Sequence, residues 1–133
     1  MRLAQNNRSR QLLAFFGMIL LLAAPLVASE ARINLRTALT GARFNGELPK
    51  GKAEFQMEDG VKRFIVEVED IDLPNGTLVG VFVNGTRVGQ ISLFNHGGTL
   101  LRSTAARQTV PNIGVGTAVA VKFSTTTILH GKF

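Results

Sequence analysis

Apolar and polar side chains alternate in short runs after residue 30, and Gly, Pro and Asn break the runs. A two-residue period is that of half-buried β-strands, and no stretch sustains the 3.6-residue period of a helix. Lys52 to Met57 sets Ala53, Phe55 and Met57 against Lys52, Glu54 and Gln56; Val61 to Glu69 sets Phe64, Val66 and Val68 against Glu67 and Glu69. Asp59-Gly60 lies between these runs. It is a hairpin signal, because both central residues of a type I′ turn take positive φ. A second hairpin is predicted around Asn84-Gly85. A two-residue loop there places Val83 opposite Thr86, Val81 opposite Val88 and Val79 opposite Gln90. Leu78, Gly80, Phe82, Gly89, Ile91 and Leu93 then share the other face. With both faces apolar, this hairpin is expected to lie centrally and covered on both sides, with Gly80 facing Gly89 across a notch. A third pair runs from Thr117 to Phe123 and from Thr126 to Phe133, joined near Ser124-Thr125, with Val119, Val121 and Phe123 inward. A strand near Arg32 to Thr40, a turn at Asn95 to Gly98, a short strand Thr99 to Ser103 and a loop Ala105 to Asn112 complete the pattern. The fold class is all-β: a small antiparallel β-sandwich or closed barrel of about seven or eight strands.

The hairpins enter alike. Leu48-Pro49-Lys50-Gly51 precedes the first, Leu73-Pro74-Asn75-Gly76 the second, and Val110-Pro111-Asn112 with Gly116 the third. The second and third align at an offset of 40 residues: Gly76 with Gly116, Thr77 with Thr117, Val79 with Val119 and Val81 with Val121. Either a duplicated hairpin unit or shared turn chemistry accounts for this, since proline suits a strand entrance where no ladder donor is needed.

The N-terminus follows different rules. Arg2, Arg8 and Arg10 precede an apolar run from Leu12 to Ala28, which ends in small residues around Pro25 before Ser29-Glu30. These are the three parts of a secretory signal. Residues 1–29 are therefore read as a cleaved signal helix and 30–133 as the all-β domain. Cleavage after Ser29 or after Ala31 fits the small-x-small rule. An uncleaved anchor is the alternative, with the run at the short end of what spans a bilayer. Export to a periplasm or the medium is the expectation, and with no cysteine in the chain a bacterial source fits best.

Removing the signal changes the charge. The chain has 15 Lys+Arg and 9 Asp+Glu; the three signal arginines leave twelve cations against nine acids, a net of +3. All nine acids fall between Glu30 and Asp72, whereas Arg87, Arg102, Arg107, Lys122 and Lys132 follow with none. That asymmetry favours an anionic partner for the C-terminal half, although a mixed solvated surface is the simpler account.

Candidate chemistry is sparse. Glu67, Glu69, Asp70 and Asp72 suggest Ca²⁺, and Asp70-x-Asp72-x-x-Asn75-Gly76 opens like a calcium loop. Pro74 stands at its fifth position, however, and Val81 where a bidentate Glu belongs. His96 and His130 could each anchor a hydrolytic site, with Ser92 a candidate nucleophile beside His96, yet no nucleophile elbow, zinc motif or phosphate loop accompanies them. Asn75-Gly76-Thr77 and Asn84-Gly85-Thr86 match the glycosylation pattern, but Asn-Gly is also turn chemistry. Trp and Tyr are absent. Most phenylalanines outside the signal are expected inside, which argues against aromatic platforms for sugars or single-stranded nucleic acid. No catalytic residue, cofactor or metal site is assigned.

The run LPNGT-x-V-x-V-x-VNG-T-x-VG, then GG-x-L, VPNIGVGTAVAV and the closing IL-x-G-x-F, resembles a group of small secreted bacterial β-rich proteins of unassigned activity. The resemblance covers Leu39 to Phe133, mostly turn and core positions, and implies only an exported all-β domain. The leading expectation is a non-enzymatic binding or structural module of the cell envelope. It would bind an unknown protein or envelope component, and neither nucleic acid nor, once mature, membrane. Strand addition at an open sheet edge, near Asn34 or along Ser103 to Pro111, is its expected mode. A hydrolase built around His96 or His130, and an inhibitor or immunity-type partner presenting Ser103 to Asn112, are the alternatives.

Overall fold

The computed structural model describes residues 31–133; the signal segment and the cleavage site after Ser29 lie outside the described residues. Eight strands follow in order: β1 (Ile33–Leu39), β2 (Lys50–Glu58), β3 (Val61–Glu69), β4 (Leu78–Val83), β5 (Thr86–Ser92), β6 (Gly98–Ser103), β7 (Ala118–Phe123) and β8 (Thr126–Lys132). They form two antiparallel four-stranded sheets, β1-β2-β3-β6 and β5-β4-β7-β8. The architecture is a sandwich that does not close into a barrel.

The expected turns are present. Asp59-Gly60 (φ 52° and 74°) and Asn84-Gly85 (φ 46° and 81°) hold both central residues in the left-handed region, as type I′ requires. From Asp59-Gly60, β2 and β3 pair without a break from Glu58–Val61 to Lys50–Glu69. Ala53, Phe55, Phe64, Val66 and Val68 point into the core as their period dictates.

The second hairpin departs from expectation. Val83 does face Thr86, but the register then shifts, so that Phe82 faces Arg87, Val81 faces Gly89 and Val79 faces Ile91. Val88 is the extra residue of a β-bulge. The bulge has a clear driving force. In unbroken register Ile91 and Leu93 would lie on the face opposite Val79 and Val81. With Val88 inserted all four are buried together, and full burial of each large aliphatic chain contributes about 1.5–3 kcal/mol. The hairpin is consequently not covered on both sides. β5 is a sheet edge, Leu78 is half exposed, and Gly80 faces Gln90 rather than Gly89. The expected notch becomes two separate close approaches: the Phe82 ring folds over Gly80, and Leu100 of β6 reaches Gly89.

The third hairpin repeats the second. Val121 faces Leu129 and Lys122 faces Thr127, so Ile128 is a bulge at the position equivalent to Val88. The offset of 40 extends to the backbone. Gly76 and Gly116 have φ of 87° and 88°. Gly76 N–H donates to Leu93 O (2.7 Å) and Gly116 N–H to Phe133 O (2.6 Å). Leu93 N–H donates to Thr77 O and Phe133 N–H to Thr117 O. Because β4 and β7 pair with Val81 opposite Val121, the sheet maps onto itself about an axis between those two valines.

The aromatics did not follow the inward reading. Phe55 and Phe64 are buried, but Phe94 is 69% exposed at a turn and Phe123 lies 36% exposed at the end of β7. Valine, leucine and isoleucine supply most of the core.

Candidate functional site

Two seams join the sheets. At one, Thr40 and His130 exchange backbone hydrogen bonds (3.0 and 2.9 Å) between β8 and the end of β1. At the other, β5 passes against β6, where Gly98 lies under Ile91 and Gly89 under Leu100.

The double bond at Thr40 sets the parity of β1. In a regular strand alternate residues present N–H and C=O to the same side, so Ala38, Arg36 and Asn34 direct theirs away from β2, as Thr40 does. Among the described residues no strand pairs with β1 on that side. The other edges are blunted: β5 by its bulge and by β6, β6 by β5, and β8 by its bulge and by the Thr40 bridge. Of the two stretches expected as edges, the one at Asn34 is therefore an edge. Ser103 to Pro111 is not. It turns through a single 3-10 turn at Thr104–Ala106, with Ser103 Oγ capping Ala105 N–H and Gln108 Oε1 accepting from Ser103 N–H. Thr104 Oγ1 accepts from Lys62 N–H, which ties this loop to β3.

At the other end of β6, where Gly98 pairs with Val68, His96 lies between two carboxylates, with Nδ1 3.4 Å from Glu47 and Nε2 3.5 Å from Asp72. Two similar turns position it. Phe44 and Glu47 exchange hydrogen bonds around Asn45-Gly46, as Phe94 and Gly97 do around Asn95-His96. Asn45 Nδ2 donates to Asp72 O (2.9 Å) and Asn95 N–H to Asn75 Oδ1 (2.8 Å). The Glu47 contact is of ion-pair length but too poorly directed for a hydrogen bond, so Glu47 Oε2 stays unpartnered. Among the described residues no serine or threonine hydroxyl is hydrogen-bonded to either ring nitrogen, so no nucleophile–base pair is formed at His96. The cluster acts as a clasp between loops, and an exposed pair of this kind contributes well under 1 kcal/mol. Ser92 is exposed at the end of β5, and His130 is exposed on β8.

The remaining polar candidates are structural. Glu67 pairs with Lys52 and Asp70 with Lys50. Among the described residues no three His, Asp or Glu side chains converge as metal ligands. Asn84 Oδ1 accepts from Ala118 N–H (2.9 Å), fastening the β4–β5 turn to β7. No helix among the described residues is long and apolar enough to cross a membrane.

The feature that sequence reasoning missed is at the β5–β6 seam. Thr86, Arg87, Val88, Arg102, Thr109 and Pro111 line a groove of about 360 Å³ there. Its only trace in the sequence is the run of cations without acids after Asp72. No protein-family model, curated protein or solved structure matches the chain. The fold and site define a small antiparallel β-sandwich with one bare edge strand and one basic groove.

Proposed function

We propose that this chain is an exported, non-enzymatic binding module of bacterial type, which takes up an extended segment of a protein or envelope component along β1. The observation that carries the reading is the bare edge from Ile33 to Thr37, beside three blunted edges. A row of outward N–H and C=O groups supplies affinity to any extended backbone, without specialised side chains. The edge is reachable over about five residues before the Ala38 carbonyl meets Gly131 of β8 and the Thr40 bridge closes it. Placing the chain at a cell envelope rests on the signal-like residues 1–29 and on the resemblance noted above. A hydrolytic reading would need a nucleophile beside His96, whose ion-pair contacts are with Glu47 and Asp72.

Asn34→Pro tests this. It removes one outward N–H and no β1–β2 ladder bond, and proline is tolerated at such a position. The protein is expected to retain a partner from an envelope extract, and the variant to lose most of that retention with its thermal midpoint little changed. Equal recovery by both proteins would exclude the β1 edge as the binding element.

A further inference from the structure

The basic residues differ in what faces them, and among the described residues Arg43, Lys62 and Arg63 form no ion pair. Arg32, Arg36, Lys50 and Lys52 each lie within reach of a carboxylate on their own sheet or its loops. Among the described residues no carboxylate lies within 4.0 Å of Arg87, Arg102, Arg107, Lys122 or Lys132. Lys122 spends its charge on the Phe82 ring, with Nζ 4.8 Å from the centroid. Arg87 and Arg102 instead line one groove.

Arg102 sits on β6, and its side chain crosses the seam, with Nη2 3.3 Å from where a Cβ on Gly89 would stand. The Arg102 Nε is buried and has no hydrogen-bond acceptor. A buried guanidinium nitrogen without a partner is destabilising and calls for an explanation. Arg87 lines the same groove from β5 at its rim, with its guanidinium turned over the outer face: Nε stands 3.7 Å from the Cβ position of Gly80, and Nη2 donates to the Gln90 side-chain oxygen. The hydroxyl-bearing Thr86 and Thr109 complete the polar lining. Arg102 without an internal anion, Arg87 at the rim, two threonines and an apolar wall of Val88 and Pro111 suit a planar or tetrahedral oxyanion.

We infer that the β5–β6 groove binds an oxyanion group, with Arg102 and Arg87 as its charged ligands. The groove is large enough for the group to be carried on a larger molecule. This inference is independent of strand uptake at β1, which lies at the opposite seam.

The test is an NMR titration of the protein with pyrophosphate, sulfate and citrate, the three arms separating phosphate, sulfate and carboxylate sources. At least one is expected to bind saturably, with the largest amide shifts at Thr86 to Gly89, Arg102 and Thr109. Arg102→Gln and Arg87→Gln are each expected to weaken binding by tenfold or more. Arg102→Lys should fall nearly as far because it loses the fork, and Lys132→Gln should stay within twofold. Arg102→Met should melt no lower than the parent, because it removes an unsatisfied charge, whereas a purely structural arginine would lower the midpoint. Absence of saturable shifts up to 20 mM of every probe (on the order of ten times the weakest affinity expected for a two-arginine site), or unchanged affinity in both glutamine variants, would overturn the assignment.

Discussion

Gly41 and Gly114 are alike in sequence and opposite in consequence. A Cβ on Gly41 would stand 1.9 Å from the carbonyl oxygen of Ile128, where β8 bulges against the chain leaving β1. Neither backbone can yield without breaking the Thr40–His130 bridge next to it. Gly114 has nothing within 4 Å and no left-handed φ. Gly41→Ala should therefore cost about 2–4 kcal/mol, while Gly114→Ala should be neutral or gain up to about 1 kcal/mol by restricting the unfolded chain. Urea denaturation of the two variants checks this, and similar midpoints would contradict it. Nothing in the local sequence distinguishes the two glycines, since the atoms that decide the matter lie across a seam between distant residues. The same holds for His96. Its Asn-His-Gly-Gly turn was legible, but its contacts with Glu47 and Asp72 were not, because they depend on how three loops meet. Arg102 was legible only as an excess charge.

Among the elements, the hairpins were readable wherever a turn and an uninterrupted two-residue period agreed. β2 and β3 follow their pattern from end to end, with Asp59-Gly60 setting the register. Around Asn84-Gly85 the turn is legible and the faces beyond it are not, because one inserted residue reverses every later side chain. A bulge has no local signature beyond the conflict it resolves, here Ile91 and Leu93 on the same alternation as Leu78 and Phe82. The matching bulge at Ile128 shows that the 40-residue echo is a repeat of geometry as well as of turn residues. Its centre is the Val81–Val121 pair, both fully buried. Val81→Ala and Val121→Ala should each cost about 2–3 kcal/mol and match within about 0.5 kcal/mol. Because the two side chains are direct cross-strand neighbours, the double variant should depart from additivity by about 0.5–1 kcal/mol. Denaturation of all four proteins measures this. Strongly unequal single costs would show that the two halves of the sheet differ in packing despite their shared backbone.

For the whole molecule, assembly follows from which pairings are local. Three hairpins close through two-residue turns, a step of microseconds. Joining them requires β3 to find β6, β4 to find β7, and β1 to find β8 from the far end of the chain. Long loops must close before these contacts contribute, so folding is expected on the millisecond-to-second scale of β-sandwiches. The β1–β8 seam spans the greatest separation and consists of one bridge and a few glycine-mediated contacts. Loop-closure entropy thus places its formation after the central β4–β7 pairing. If so, Gly41→Ala acts on a contact absent from the transition state. It should speed unfolding by most of its stability cost and leave the folding rate within about twofold. Val121→Ala, at the centre of the sheet, should instead slow folding. Stopped-flow chevrons on the two variants separate these outcomes, and a slowed folding arm for Gly41→Ala would place the seam in the nucleus rather than at the last step.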